Sequence, residues 1–283
     1  LKKRDMLERK TIPPRGVLHV GRGEPDPRLE RFEASPRLRP FIEHYWSVAW
    51  ENQPAVTRET VPHPSVHLSL ETGRSELHGV WRRRFTRVIE GTGRVLGTKF
   101  RPGGFRPFMK ESADRLTGKV VPPSAIFGPA IDALEAEATA CPQACDAFEH
   151  IDAFLARLDP QSTPELELVT QIAELVAQDR SITRVEMLVD RFDTGLRQFQ
   201  RLFREYVGVS PKWVIQRQRL IEAAECLRTG DQSLDFAALA LDLNYADQPH
   251  FIRDFKNLIG KTPADYHKSL QAREEGGGQR GEG

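Results

Sequence analysis

The sequence predicts an α+β chain. A small β-rich domain with flanking helices comes first. An all-α domain of two helix-turn-helix units joined by one long helix follows. Three observations carry this prediction. Short segments of alternating apolar and polar residues, divided by Gly, Pro and Asn, fill the stretch from His44 to Phe100. Helical periodicity takes over after Pro107. A segment around residue 200 recurs at an offset of 52 residues.

Composition bounds the rest. At 283 residues the chain is long enough for two domains, and 39% hydrophobic with 29% charged residues supports packed cores and not global disorder. No apolar run approaches the ~20 residues that cross a bilayer. The opening LKKRDMLERK lacks the apolar stretch of a signal peptide. Three cysteines do not build a disulfide scaffold, so a reducing cytoplasm is the expected location. Charge is uneven: residues 160–283 carry 16 Lys and Arg against 19 Asp and Glu, a net of −3. Residues 1–159 carry 25 against 21, a net of +4. A helical half of that sign must contact any polyanion through local charge placement.

Along the chain, residues 1–30 read as a flexible leader rich in Pro and Gly. Residues 31–158 read as a β-rich sensor or dimerisation domain. It opens with a short helix from Pro36 to about Glu43. Strands are predicted at HYWSVAW, VTRETVP, SVHLSLE, TRVIEG and RVLGTKF. In SVHLSL, Val66, Leu68 and Leu70 mark one apolar face. Two helices follow; in the second, Ala147, Phe148, Ile151, Phe154, Leu155 and Leu158 recur at helical spacing. DPQSTP (159–164) is a linker, 165–270 is wholly helical, and 271–283 is a disordered tail.

The repeat is the most informative feature. Phe199, Arg201, Phe203, Gly208 and Pro211 match Phe251, Arg253, Phe255, Gly260 and Pro263 in one register. Phe199 and Phe203 share a helix face and hold it in a core. Gly208 suits a left-handed C-cap. Ser210–Pro211 and Thr262–Pro263 are N-cap and first-turn pairs that start new helices. Upstream, Thr183 and Glu186 are spaced as a capping box for VEMLVDRF, and RFDTG turns the chain into the next helix. In the second copy DFAALALDL leads to a turn at Asn244, a residue that tolerates the left-handed region. Helix, tight turn and second helix is an arrangement that sets one helix into a major groove. Between the copies runs one amphipathic helix, Ser210 to Arg228, with Trp213, Leu220, Ala224 and Leu227 as its buried stripe. It spans roughly 28 Å, close to the ~34 Å between successive major-groove faces.

The stretches RLFREYVGVSP, RLIEAAECLRTGD and ALALDLNYADQPHFIRDFKNLIGKTPADY resemble the DNA-binding module of AraC/XylS transcription regulators, over about residues 165–268. The resemblance implies a transcription regulator with two helix-turn-helix units, each reading one major groove of double-stranded DNA. It implies an activator, with a small-molecule effector, RNA polymerase and a homodimer through the N-terminal domain as partners, and no membrane. By the same resemblance, base-reading positions fall on Arg197, Gln200 and Arg201, with Leu196 and Gln198 beside them. In the second unit they fall on Gln248, Pro249, His250 and Arg253. Arg204, Lys256 and Lys261 are assigned to phosphates. Arg can bind guanine and Gln adenine bidentately. Asn244 replaces the family's usual Gly, and Gly195–Leu196 its usual Ser-Pro. PHPSVHLSLETG, GTGRVLGTKFRPGGF and LTGKVVPPSAIFG resemble a poorly characterised domain found ahead of such modules.

Other readings of the N-terminal half are weaker. His63 and His67, with His78, could ligate a metal; surface or hydrogen-bonded histidines flanking Pro64 are preferred. Gly91, Gly93 and Gly97 read as turn glycines and not a phosphate loop, since a strand follows. Arg101–Pro102–Gly103–Gly104 reads as a tight turn into a short helix. Cys141 and Cys145 read as two partly buried helix thiols. No convergent set of catalytic, metal or cofactor residues stands out, so an enzyme is not expected. Three scattered cysteines also exclude an alkyl-accepting repair protein. A ligand-binding or dimerising adaptor whose helices no longer read DNA is the alternative.

Overall fold

The computed structural model describes residues 17–18, 28–229 and 235–274. The predicted leader and tail lie largely outside the described residues.

Seven antiparallel strands form one sheet: β1 (Val17–Leu18), β2 (Arg28–Phe32), β3 (Ile42–Thr60), β4 (His67–Leu70), β5 (Glu76–His78), β6 (Phe85–Phe100) and β7 (Val120–Val121). The order is β1-β3-β6-β4-β5-β7, with β2 also paired to β3. HYWSVAW and VTRET are one strand, not two. So are TRVIEG and RVLGTKF. The interruptions that suggested loops are irregularities in the β3–β6 ladder around Trp50, Gln53 and Val56, with Asn52 and Gly91 at positive φ. Gly93 and Gly97 therefore lie within β6, not in turns. A Cβ at Gly97 would come 1.9 Å from the Trp46 indole, and one at Gly93 2.5 Å from that of Trp50. These glycines give the tryptophans room to lie across the neighbouring strand. The expected helix from Pro36 is instead a pair of tight turns, closed by Leu38 N–H to Ser35 O and Phe41 N–H to Leu38 O.

Register assigns the two faces of the sheet. Tyr45 pairs with Thr98, Thr98 with Leu68 and Leu68 with Leu77. These four are at most 1% exposed and face the helices α1 (Ser124–Phe127), α2 (Ala130–Ala140) and α3 (Ala144–Arg157). Phe148 of α3 stacks on Tyr45 at 5.2 Å. Asp152, also on α3, accepts hydrogen bonds from the Tyr45 hydroxyl and the Ser35 backbone N–H, both at 2.9 Å. The opposite face carries His44, Lys99, His67 and His78 in one cross-strand row. Short 3-10 turns at Arg106–Phe108 and Ala113–Leu116 lead from β6 toward β7. Cys141 caps α2 and Cys145 lies on α3; both are half-buried.

The helical part comprises α4 (Pro164–Gln178), α5 (Val185–Arg191), α6 (Leu196–Leu202), α7 (Pro211–Thr229), α8 (Phe236–Asp242), α9 (Gln248–Ile259) and α10 (Pro263–Glu274). Phe199 and Phe203 sit in one core with Val214 and Ile215 of α7. Phe251 and Phe255 sit in another with Leu220 and Leu227. The long helix thus serves a different core at each end, and Val214, Ile215, Arg217, Leu220 and Ala223 are all buried. The single amphipathic stripe expected of it is corrected: α7 is enclosed on more than one side, with Trp213 only half-buried. The N-terminal half lends a buried valine to each core, Val80 to the first and Val61 to the second.

Candidate nucleic-acid interface

The two helical units are built on the same local rules with different solutions. Asp193 and Asn244 turn the chain before α6 and α9 at φ 47° and 57°. Gly208 and Gly260 end the two copies in the left-handed region at φ 87° and 90°. α9 is capped by Asp247, whose carboxylate accepts from the His250 N–H at 2.7 Å. Gly195 can offer α6 no such side-chain cap. α6 is also shorter than its counterpart: from Phe203 the backbone widens into a π turn, closed by Gly208 N–H to Phe203 O at 2.9 Å. Ser210 caps α7, accepting from Trp213 N–H at 3.2 Å. Thr262 caps α10, accepting from Asp265 N–H at 3.1 Å. The Thr183–Glu186 capping box does not form: α5 begins at Val185 without a side-chain cap. Thr183 instead accepts from the Asn244 side-chain amide at 3.1 Å, tying the start of the first unit to the turn of the second.

With Phe199 and Phe203 facing inward, the opposite face of α6 presents Arg197, Gln200 and Arg201 to solvent, and Arg204 follows on the π turn. In α9, Pro249, Arg253 and Lys256 are exposed, and Lys261 follows Gly260. Gln248 and His250 are half-buried; the His250 imidazole lies 3.1 Å from Asp254 and edge-on to Tyr245. Among the described residues, Arg197, Arg201, Arg253, Lys256 and Lys261 form no ion pair. Arg204 differs: it donates to Asp114 of the N-terminal half at 2.6 Å. That hydrogen bond holds the Asp114 carboxyl below its ordinary range. Exposed pairs of this kind are screened by solvent and contribute little. Asp114→Asn should release Arg204 and modestly tighten any binding of a duplex to this face; titration of a labelled duplex measures this.

Sequence reasoning did not find the contacts that dock the two halves. Thr117 donates to Gly208 O at 2.7 Å. Arg106 pairs with Glu205 at 3.3 Å and lies over the Tyr206 ring, and Arg101 pairs with Glu174 at 3.0 Å. Arg217 of α7, 8% exposed, donates to Pro62 O and lies 3.0 Å from His63 Nδ1. Arg217 belongs to the polar row on the sheet, where Lys99 donates to Glu43 at 2.9 Å. Burial lowers the pKa of Lys99 against the opposing pull of Glu43, and takes Arg217 down to about 10. Burial alone would raise Glu43; His44 and Lys99 outweigh it and hold it well below the carboxylate range. His63 and His67, with ring centroids 6.2 Å apart, are half-buried and held neutral by burial and by the Lys99 charge. Of the two arrangements expected, surface or hydrogen-bonded, His63 takes the hydrogen-bonded one, against Arg217. No sequence spacing could have revealed a cluster assembled from four strands and a helix.

Residues 188–269 match the family model described as a helix-turn-helix domain. This stretch, which holds both helical units, is a helix-turn-helix domain. Residues 30–122 match a domain of unknown function, DUF6597. An uncharacterised HTH-type transcriptional regulator of Haemophilus influenzae is 30% identical over 103 residues, 36% of this chain and 34% of that protein. The HTH-type transcriptional activator RhaS of Escherichia fergusonii is 30% identical over 87 residues, 31% of each chain. The matched part thus spans about a third of these relatives' length. A solved structure of the DNA-binding domain of AdpA in complex with a target DNA is 26% identical, covering 40% of this chain and 98% of that one, with a TM-score of 0.32. Among the described residues no helix is long and apolar enough to cross a membrane.

Proposed function

We propose that the chain is a sequence-specific DNA-binding transcription regulator. Residues 165–270 form its DNA-binding domain, 159–164 the linker, and 31–158 a sensor or dimerisation domain. In this reading Arg197, Gln200 and Arg201 of one unit, and Gln248, Pro249, His250 and Arg253 of the other, read bases. Arg204, Lys256 and Lys261 hold phosphates. The name of the RhaS relatives, transcriptional activator, supports activation; in this reading the chain acts in the cytoplasm with RNA polymerase as partner and responds to a small molecule. A homodimer would form through the N-terminal domain.

The observation that carries this reading is the pair of exposed stripes, Arg197–Arg201–Arg204 and Pro249–Arg253–Lys256, each backed by two buried phenylalanines. Unpaired arginines on a rigid helix are pre-organised for base edges. Arg201→Ala should lower discrimination at its base pair by about 1–3 kcal/mol. Lys256→Ala should weaken all duplexes alike and reduce the salt slope by about 1. Competition between selected and scrambled duplexes separates the two effects. Sequence-blind losses for both variants would refute the division of roles.

A further inference from the structure

We propose that Arg82 and Arg83, in the loop between β5 and β6, grip the phosphate backbone of the duplex that the helical domain reads, so that the N-terminal domain is itself part of the DNA interface. This rests on the regulator reading above.

The loop is held firmly. Gly79 N–H donates to Lys119 O at 3.0 Å, and Val80 O accepts from Gly118 N–H at 2.9 Å. Val80, 2% exposed, is buried in the first helical core. Arg84 pairs with Glu59 at 2.6 Å, and its guanidinium lies so close to Gly260 that a Cβ there would come within 1.9 Å of it. Between these fixed points Arg82 and Arg83 are exposed and have no hydrogen-bond or ionic partner among the described residues.

Position gives those two charges a use. The stripe Arg197, Arg201, Arg204 runs at spacings of four and three residues toward Gly208, and Pro249, Arg253, Lys256 runs identically toward Gly260. The loop meets both ends. It shares a cleft of about 660 Å³ with Asp114 and Gly208, and it touches Gly260 through Arg84. Asp114, the acid in that cleft, is already engaged by Arg204. Lys261 stands next to Gly260, so unpaired cations gather where the two stripes finish.

Charge supplies the reason. Residues 160–283 have a net charge of −3, a poor match for a duplex, whereas residues 1–159 have +4. Guanidinium groups bind phosphate oxygens in forked, charge-assisted pairs. A rigid loop adjoining both reading helices can deliver two of them to the backbone without entering a groove.

The test uses the full chain and a duplex selected from a random-sequence pool by the wild-type protein. Binding is measured from roughly 50 to 200 mM salt. The Arg82→Ala/Arg83→Ala double variant should show a log–log salt slope shallower by about 1.8, two contacts at about 0.9 each, with base preference unchanged. Arg82→Lys/Arg83→Lys should keep most of the slope, and both variants should melt with the wild type, because neither residue has a partner to lose among the described residues. An unchanged slope in the alanine variant overturns the loop's role while leaving the regulator reading intact. Failure of the wild-type chain to select any duplex overturns the regulator reading itself.

Discussion

Phe255→Ala is expected to lower stability by about 3–5 kcal/mol and to abolish recognition by the second helical unit. Phe255 is fully buried, with its ring 5.7 Å from Phe251 and 5.8 Å from Tyr266. It joins the reading helix α9 to α10 and lies in the same core as Leu220 and Leu227 of α7. Truncation leaves a cavity that neighbours rooted in three helices cannot close. The first unit has its own core around Phe199 and Phe203, which the substitution does not touch. Denaturant melts should therefore show a loss confined to part of the chain. Nuclease footprints should shrink from two grooves to one. Phe255→Leu, which keeps most of the apolar volume, should retain both grooves. A full-length footprint from the alanine variant would mean that this core does not position α9.

Acid should destabilise the chain through His67. Burial, aided by the charges of Lys99 and His78, holds its pKa down to about 3, against about 6.5 for an unfolded histidine. The unfolded chain then binds the proton more readily, so stability is flat above about pH 6.5 and falls as pH drops toward 3. The loss reaches roughly 2 kcal/mol by about pH 5, and roughly 4–5 kcal/mol at full development. The residue is only half-buried, so water moderates the upper figure. His63 is depressed in the same direction by burial and by the charges of Lys99 and Arg217, and adds to the slope. Glu43, held low beside Lys99 and His44, contributes in a separate window, as pH falls through the carboxylate range. Urea melts at about pH 7 and pH 5 measure the effect. His67→Gln, neutral at every pH, should remove about one histidine's share. An identical pH dependence in that variant would place the titrating group elsewhere. Since Arg217 joins this cluster to α7, the loss should spread from the sheet to the helical domain.

What could be read directly was local. Gly208, Gly260, Ser210, Thr262 and Asn244 act through their own backbone and the next few residues, and each does in the structure what its chemistry requires. The start of α7 at Pro211 follows from the Ser210 cap and the first-turn proline. Local signals failed where a distant group competed for the same atoms. Thr183 had the spacing of a capping box but bonds Asn244, 61 residues away. Gly91, Gly93 and Gly97 suggested turns because glycine usually marks them. In β6 the last two instead make room for tryptophans on a neighbouring strand.

By itself the sequence determined the two copies of a helix-turn-helix unit and the long helix between them, because helix periodicity and capping operate within about one turn of a residue. Only the tertiary structure decided that the sheet docks on both units, that Arg204 meets Asp114, that Arg217 closes a row of histidines, and that the loop of Arg82, Arg83 and Arg84 reaches both stripe ends. Those pairings join residues about 90 to 176 positions apart. Their partners are selected by the shape of two packed surfaces, which no short-range pattern encodes.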